Sequence, residues 1–310
     1  MMRTYLLRRV LTIIPILIGI SFLAFILINF SPSDPAEVAL RVNEITPTPE
    51  AIAGMRAELG LDRPFFIRYA DWLTASLQGD FGRSFVNKKP VLEEISRALP
   101  ATLLLSAAAL TITVVLSVTA GVLCAIYEGS LGDRLIRAFV FWGTAMPSFW
   151  AGLLFIWLFA VKLDLFPTSG MNGPVSIVLP AVTMALTYIS VYIRLIRNNM
   201  IQNKQENYVL YARARGLSKQ LINQHILKNS LQSSLTAFGM SIPKFIAGTV
   251  IIENIFAWPG IGRLCVTAIF NRDYPVIQAY ILLMAVLFVV CNLLVDIVSA
   301  WIDPRLRQEG

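Results

Sequence analysis

The chain has 310 residues, 56% of them hydrophobic and only 15% charged, with a mean hydropathy of +0.66 and a net charge of +7. A soluble domain of this length needs far more charge to cover its surface, and a positive balance broken up by long uncharged runs is not the basic face of a nucleic-acid binder. What remains is an all-α, polytopic membrane protein that touches lipid and no nucleic acid.

Six candidate spans follow in chain order. Residues 10–30 form 21 positions without a charge, close to the ~20 needed to cross the hydrocarbon core as a helix. The run is too long for the apolar core of a typical signal peptide, and no small-residue cleavage site precedes "SPSDP", so an uncleaved first helix is expected. Residues 98–127 and 138–161 are uncharged for 30 and 24 positions. The fourth span covers roughly 175–193 and stops at Arg194, and the sixth runs over 274–295 and stops at Asp296. The fifth, 229–256, is the weakest, being interrupted by Lys244 and Glu253, with Pro243 placed to kink it. Cys124, Cys265 and Cys291 are scattered and read as small packing residues rather than a disulfide framework.

Between the first two spans, residues 31–97 carry eight basic and ten acidic side chains, a nearly balanced surface. Thr48 and Pro49 read as N-cap and first residue of a helix over 49–59 that stops at Gly60. Phe65, Tyr69, Trp72, Leu73 and Ser76 keep helical spacing, with Gly79 beyond. This segment is either a small helical cap or a receptor surface.

Orientation follows from the basic residues of the short loops. Arg3, Arg8 and Arg9, then Arg134 and Arg137, then Arg194, Arg197, Lys204, Arg213, Arg215, Lys219 and Lys228, and finally Arg305 and Arg307 all fall on one side. That side is assigned to the cytoplasm, with both termini (including the 304–310 tail), which leaves 31–97 exported and 98–303 as a five-helix core.

Within the cytoplasmic segment 201–231, "YARARGLSKQLINQHILKNSL" is rich in cations, lacks acids and holds the chain's one histidine, His225. Residues 208–215 are good helix formers, Gly216 is placed to end that helix, and Ser218 to cap a second one from Lys219. Two short helices joined at a glycine elbow are expected. Charge alone would explain contact with anionic headgroups; the ordered helix–Gly–Ser–helix pattern adds the alternative of a docking surface.

Charges inside spans cost about 2.5–3.5 kcal/mol each at a helix centre. Lys244, Glu253 and Asp296 should therefore face protein or water, at a pathway or a partner interface, as should the Met146–Pro147 interruption of the third span. Lys244 and Glu253 lie nine residues apart, about 13.5 Å along a helix and on roughly opposite faces, so they are poor partners for each other. Methionines scattered in apolar helices are packing residues before they are soft-metal ligands, and no dedicated metal site is expected. Trp258, Pro259, Gly260 and Gly262 mark a tight outer turn before the sixth span, which either guards a pathway mouth or reverses the chain.

"YARARGLSKQLINQHILKN" resembles the cytoplasmic loop of ABC importer permeases of the dipeptide, oligopeptide and nickel family. So do "RRVLTIIPILIGISFLAF", "LGLDRPFFIRYADWL", "GDFGRSF", "LPATLLLSAAAL", "MPSFWAGLL", "IIENIFAWPGIGR", "NRDYPVIQ" and "DPRLR", in family order over nearly the whole chain. "IIENIFAWPGIGR" with "AIFNRDYPVIQ" is most similar to the nickel-importer branch, and peptide permeases carry close variants. By position Gly216 matches the family's loop glycine and Ala212 an alanine of its E-A-A triplet, while Leu210 and Tyr211 depart from it.

The resemblance implies a type I importer permease fold in a bacterial inner membrane. It implies a second homologous permease, two cytoplasmic ATPases and an extracytoplasmic binding protein as partners, with ATP and Mg in the ATPases. A coupling helix would then sit at 212–219, making Tyr211, Ala212, Arg213, Ala214, Arg215, Gly216, Leu217, Ser218 and Lys219 the ATPase-coupling residues. The cargo expected is nickel or another transition metal as a small chelate, with di- or oligopeptide as the alternative. The chain has no G-x-x-x-x-G-K-[ST] and is not expected to be the ATPase. Outside this family, a secondary transporter would need matching internal repeats, which are not apparent, and a passive channel would need no docking loop.

Overall fold

The computed structural model describes residues 2–30 and 34–302, and among them helices are joined by loops without a strand; Arg83 and Pro90 make one isolated bridge. Among the described residues four helices are long and apolar enough to cross a membrane, or up to six spans if each of two bent pairs counts as one. The chain divides into two compact units, one made of Met1–Ala101 with Pro259–Val290, the other of Thr102–Trp258 with Cys291–Gly310.

The first unit starts with α1, Met2–Asn29. α2 (Pro35–Val42) and α3 (Pro49–Glu58) each begin with proline after a capping side chain: Asp34 accepts from the Ala36 N–H and Thr48 from the Ala51 N–H. Gly60 follows α3 at φ +64°, where a side chain would be strained, so the expected stop holds to within a residue.

α4 (Phe65–Leu77) is the expected second amphipathic helix. It is no free-standing cap, because it lies along the C-terminal half of α1. Phe25 is buried between Phe65 and Tyr69 with centroids 5.3 and 5.5 Å away, and the Tyr69 hydroxyl meets Ser21. Edge-on aromatic pairs of this kind add about 0.5–1.5 kcal/mol each beyond burial.

α12 (Ile261–Phe270), which the tight-turn expectation missed, belongs to this unit. The buried Ile261, Cys265 and Ala268 with half-buried Leu264 supply the i, i+4, i+7 and i+3 spacing that would have found it. Its loop to α13 (Tyr274–Ile302) carries buried Asp273, which accepts from the Ser84 hydroxyl and the Phe85 N–H and so pins the 80–90 loop to the start of α13.

In the second unit α5 (Val91–Ile126) and α8 (Val178–Asn203) run beside each other. A Cβ at Gly121 would lie 2.9 Å from that of Ile196, so only glycine permits this crossing. Gly143 on α6 (Leu131–Ala145) meets Ser190 of α8 in the same way, at 2.8 Å.

The third span is interrupted at Met146–Pro147, where the sequence placed the break. Residues 138–161 do not form one straight helix: α6 and α7 (Ser148–Phe155, continued by a π-helix over Ile156–Lys162) meet at 106° around Met146–Pro147. Pro147 has no N–H to continue the ladder, and the residue before a proline is forced out of the helical region, as Met146 is at ψ 123°.

The fifth span is also broken, into α10 (Lys219–Gly239) and α11 (Ile242–Ile255) at 52°, with Pro243 in the first turn of α11 as the sequence suggested. Tyr192 of α8 braces this break through its hydroxyl, on Ser241 and on the Ala237 carbonyl at 3.1 Å.

Asp133, in the first turn of α6, has a fully buried carboxylate. It takes a two-pronged hydrogen bond from Arg197 of α8 at 2.8 and 3.0 Å and another from the Gly129 N–H at 3.0 Å. Removing one partner of a buried pair strands the other charge and typically costs about 3–5 kcal/mol, whereas replacing both with apolar groups is often near neutral. Asp133→Asn and Arg197→Met are each expected to lower the unfolding temperature of the detergent-solubilised protein. An Asp133→Leu/Arg197→Met double variant should recover most of the loss; a double variant as unstable as the sum of the singles would contradict a coupled pair.

Candidate functional site: the elbow between α9 and α10

α9 (Asn207–Ala214) is a single short helix that ends as its sequence dictates. Gly216 sits at φ +72°, its N–H bonds the Arg213 carbonyl at 2.9 Å, and the Leu217 N–H reaches back to Ala212 at 3.2 Å. Those two bonds are a Schellman cap, which needs a left-handed residue at the position glycine fills. Ser218 then caps α10 by accepting from the Leu221 N–H at 3.4 Å.

The two-helix expectation is modified in two respects. The second helix is not short, because α10 runs on unbroken for 21 residues and is itself the first part of the bent fifth span. And residues 212–219 are not themselves a helix: they are the C-terminus of α9, the turn and the start of α10.

The elbow is held on the second unit by its apolar side. Val209, Ile222 and Ile226 are buried with Ala125, Ile196, Met200 and Phe238, and Ala212 and Leu217 pack against this cluster. Lys204, at the end of α8, donates to the Ala125 carbonyl and pairs with Glu128 at 3.6 Å, closing the same corner from the side. The opposite face is open. Leu210 and Tyr211 are 65% and 70% exposed, and Arg213, Ala214, Arg215, Ser218 and Lys219 are exposed around them. Ala212, singled out from the sequence as a contact residue, faces inward instead, and Leu210, set aside there, is on the outer face.

The structure does not bring the intramembrane residues together at one place. Glu253 of α11 is fully buried and accepts from the Thr102 hydroxyl of α5 at 2.6 Å, so it faces the protein interior. Lys244 is exposed on the chain's surface, nine positions earlier on the same helix, and Asp296 is half-buried on α13. Met146 and Pro147 line an apolar cleft of about 500 Å³ inside the α6–α7 bend, walled by Phe141, Trp142, Phe149 and Trp150. Trp258 is no loop tip: it is 1% exposed, and its N–H closes the end of α11 on Glu253 O at 2.8 Å, with Ala257 left-handed at φ +48°. Pro259 and Gly260 then lead into α12, which carries Gly262 in its first turn. No group of three or more His, Cys, Asp or Glu side chains is placed to hold a metal ion among the described residues.

Comparison with known proteins accounts for both halves of the chain. Residues 1–106 match the N-terminal region, and residues 117–308 the main region, of the family described as binding-protein-dependent transport system inner membrane component. The metal-staphylopine import system permease protein CntB of Staphylococcus aureus is 40% identical over 306 residues, covering 98% of each chain. The oligopeptide transport system permease protein AppB of Bacillus subtilis is 38% identical over 322 residues, covering 99% of this chain and 100% of its own. The glutathione transport system permease protein GsiC of Salmonella typhimurium is 35% identical over 314 residues, covering 99% of this chain and 100% of its own.

Among solved structures, the MetNI methionine ABC transporter in its inward-facing form shares the fold at TM-score 0.56 and 16% identity, over 67% of this chain and 96% of that one. An amino acid ABC transporter with histidines does so at 0.54 and 17%, over 69% and 94%. With its apolar helices, type I importer fold and full-length relatives together, the chain belongs to the dipeptide, oligopeptide and nickel family of ABC importer permeases, the non-catalytic inner-membrane subunits of binding-protein-dependent transport systems.

Proposed function

We propose that this chain is one half of the translocation pathway of an ATP-driven importer and carries a transition metal, such as nickel, as a small chelate. It works beside a second homologous permease, two cytoplasmic ATPases that bind ATP and Mg, and an extracytoplasmic binding protein. The observation that carries the cargo assignment is the 40% identity to a metal-staphylopine permease over 98% of both chains. Di- or oligopeptide is the second reading, favoured by the 38% identity to an oligopeptide permease. In cells lacking the endogenous systems, a strain expressing the complete transporter should accumulate radiolabelled nickel only when a chelator is supplied. Uptake of labelled dipeptide without any chelate uptake would reverse the assignment.

In this proposal both termini and the elbow are cytoplasmic and α2–α4 lie outside, as the basic loop residues favour. With the three native cysteines replaced, single cysteines at Asp71 and Lys219, both exposed, should react with impermeant maleimide from opposite sides of the membrane. Labelling from the same side would reject the orientation.

The elbow then serves as the contact with an ATPase. Leu210 and Tyr211 enter a groove on that subunit, and the cluster beneath them passes its movement to α8 and α10 as one packed body. Lys244 and the Met146–Pro147 cleft supply surface for the partner permease or the pathway.

Gly216→Val adds a side chain into open space, so its whole effect comes from the left-handed backbone, a strain of about 1–3 kcal/mol. Gly216→Val and the Leu210→Ser/Tyr211→Ser double variant should both insert and pair with the second permease, yet co-purify with at least tenfold less ATPase. Arg213→Gln and Arg215→Gln should retain it. If the arginine variants lose the ATPase while the Leu210/Tyr211 double variant keeps it, the basic charge rather than the apolar pair makes the contact.

A further inference from the structure

The break between α10 and α11 is short, and its backbone is nearly helical. Met240 and Ser241, the two residues between the helices, sit at φ −62°, ψ −10° and φ −90°, ψ −17°, a modest rotation in ψ away from an α-helix. The Met240 N–H still bonds the Thr236 carbonyl four residues back at 3.0 Å. The Ser241 N–H instead bonds Phe238, three residues back, also at 3.0 Å. A single tightened turn inside a longer helical run often marks a hinge.

The tightening leaves the Ala237 carbonyl without the amide that an unbroken ladder would bring to it. Two hydroxyls take that place: Tyr192 of α8 donates to Ala237 O at 3.1 Å and Ser241 at 3.0 Å, and the hydroxyls meet each other. Tyr192 is buried, and its ring lies against that of Phe238 with centroids 4.2 Å apart. One turn earlier on α8, half-buried Tyr188 repeats the arrangement beyond the break. Its ring centroid is 4.2 Å from that of Phe245, and its hydroxyl donates to Lys244 O at 3.2 Å. α8 thereby grips α10 and α11 with one tyrosine each.

The two grips differ in what depends on them. Lys244 O belongs to the first turn of α11 and keeps its place in that helix whatever the bend. Ala237 O is contested. Rotating Met240 and Ser241 toward helical ψ returns the Ser241 N–H to Ala237 and lets the Ile242 N–H take Phe238. With the amide and hydroxyl of Ser241 both on it, the two lone pairs of Ala237 O are filled, and Tyr192 is left with the Ser241 hydroxyl alone. Hydrogen bonds are exchanged rather than lost, which keeps the two arrangements close in free energy. Pro243 has no N–H for the Gly239 carbonyl, so a residual bend persists in the straighter one.

We propose that this break is a hinge with two settings, that the Tyr192 hydroxyl latches the bent setting through Ala237, and that Tyr188 keeps α11 on α8 in both. The hinge then sets how far a displacement of the elbow, at the other end of α10, is passed on to α11. That last link rests on the elbow as the ATPase contact; the latch itself does not.

The test uses the complete purified transporter in lipid nanodiscs, with the native cysteines of this chain replaced and spin labels at Gln224 and Ile251, both exposed. Pulsed electron paramagnetic resonance reads the distance between them. At 1.5 Å per residue, straightening the 52° bend to a residual proline kink moves the labels apart by about 3 Å. Wild type without nucleotide should give mainly the shorter distance. Tyr192→Phe keeps the ring on Phe238 and loses the hydroxyl, and should raise the long-distance fraction at least threefold. Pro243→Ala supplies the missing N–H to Gly239 and should raise it as well, with every hydroxyl in place, so the hinge is tested apart from any stability that Tyr192 adds. Tyr188→Phe should leave the distribution unchanged.

Identical distributions in wild type, Tyr192→Phe and Pro243→Ala would overturn the hinge and make Tyr192 a static brace. A shift in Tyr188→Phe as large as that in Tyr192→Phe would overturn the latch, because loosening anywhere along α8 would then suffice. Trapping wild type with ATP and vanadate should also raise the long-distance fraction. A shift in Tyr192→Phe without any nucleotide response in wild type would support the latch and sink the elbow as its driver.

Discussion

The buried carboxylate of Asp133 fixes the corner of the second unit on which the elbow rests. A charge with no access to water must be matched or removed, and here Arg197 matches it with two hydrogen bonds while Gly129 adds a third. The pair joins the start of α6 to the C-terminal third of α8. Lys204, two turns further along α8, meets the end of α5. The corner so fixed contains Ala125, Ile196 and Met200, the floor on which Val209, Ala212 and Leu217 sit. The outward position of Leu210 and Tyr211 follows, because a short helix whose buried face is fully used must turn its other face to the surroundings. A contact made there acts on a body packed through to α8 and α10, which is what transmission of movement by the elbow would require.

Elsewhere the apolar spans solve the same problem of polar groups in several ways. Glu253 is buried in a helix of the fifth span, and Thr102 from α5 donates to it. The two breaks in the ladder coincide with Pro147 and Pro243, where the backbone cannot complete its bonds in any case, and the second is braced by the Tyr192 hydroxyl. Close crossings at Gly121 and Gly143 let α8 approach α5 and α6 within a distance that even alanine would block. α8 is accordingly the most enclosed long helix, with about three fifths of its apolar window buried against a tenth for α13.

The first unit is organised by aromatic rings rather than charges. Its exposed ion pairs, such as Arg41 with Glu37 and Arg63 with Asp71, contribute little in water. Phe25, Phe65, Tyr69 and Trp72 bind α4 to α1 over a shared apolar seam, and Asp273 anchors the 80–90 loop. A cleft of about 430 Å³ beside Arg68 lies where α1, α4 and α13 meet.

The sequence by itself determined the features that depend on neighbouring residues. Uncharged runs set four straight spans, Thr48–Pro49 and Gly60 bounded α3, and Gly216 with Ser218 fixed the elbow, since caps and glycine conformations are settled within a turn of chain. Pro147 announced an interruption but not an angle of 106°, which depends on how α6 and α7 each pack against α8. The inward face of Ala212, the partner of Glu253 151 residues away, and the cleft gathered from α1, α4 and α13 were decided only by tertiary structure. Their physical basis is contact between residues far apart in the chain, and a periodic pattern of apolar side chains says that a face is covered without saying what covers it.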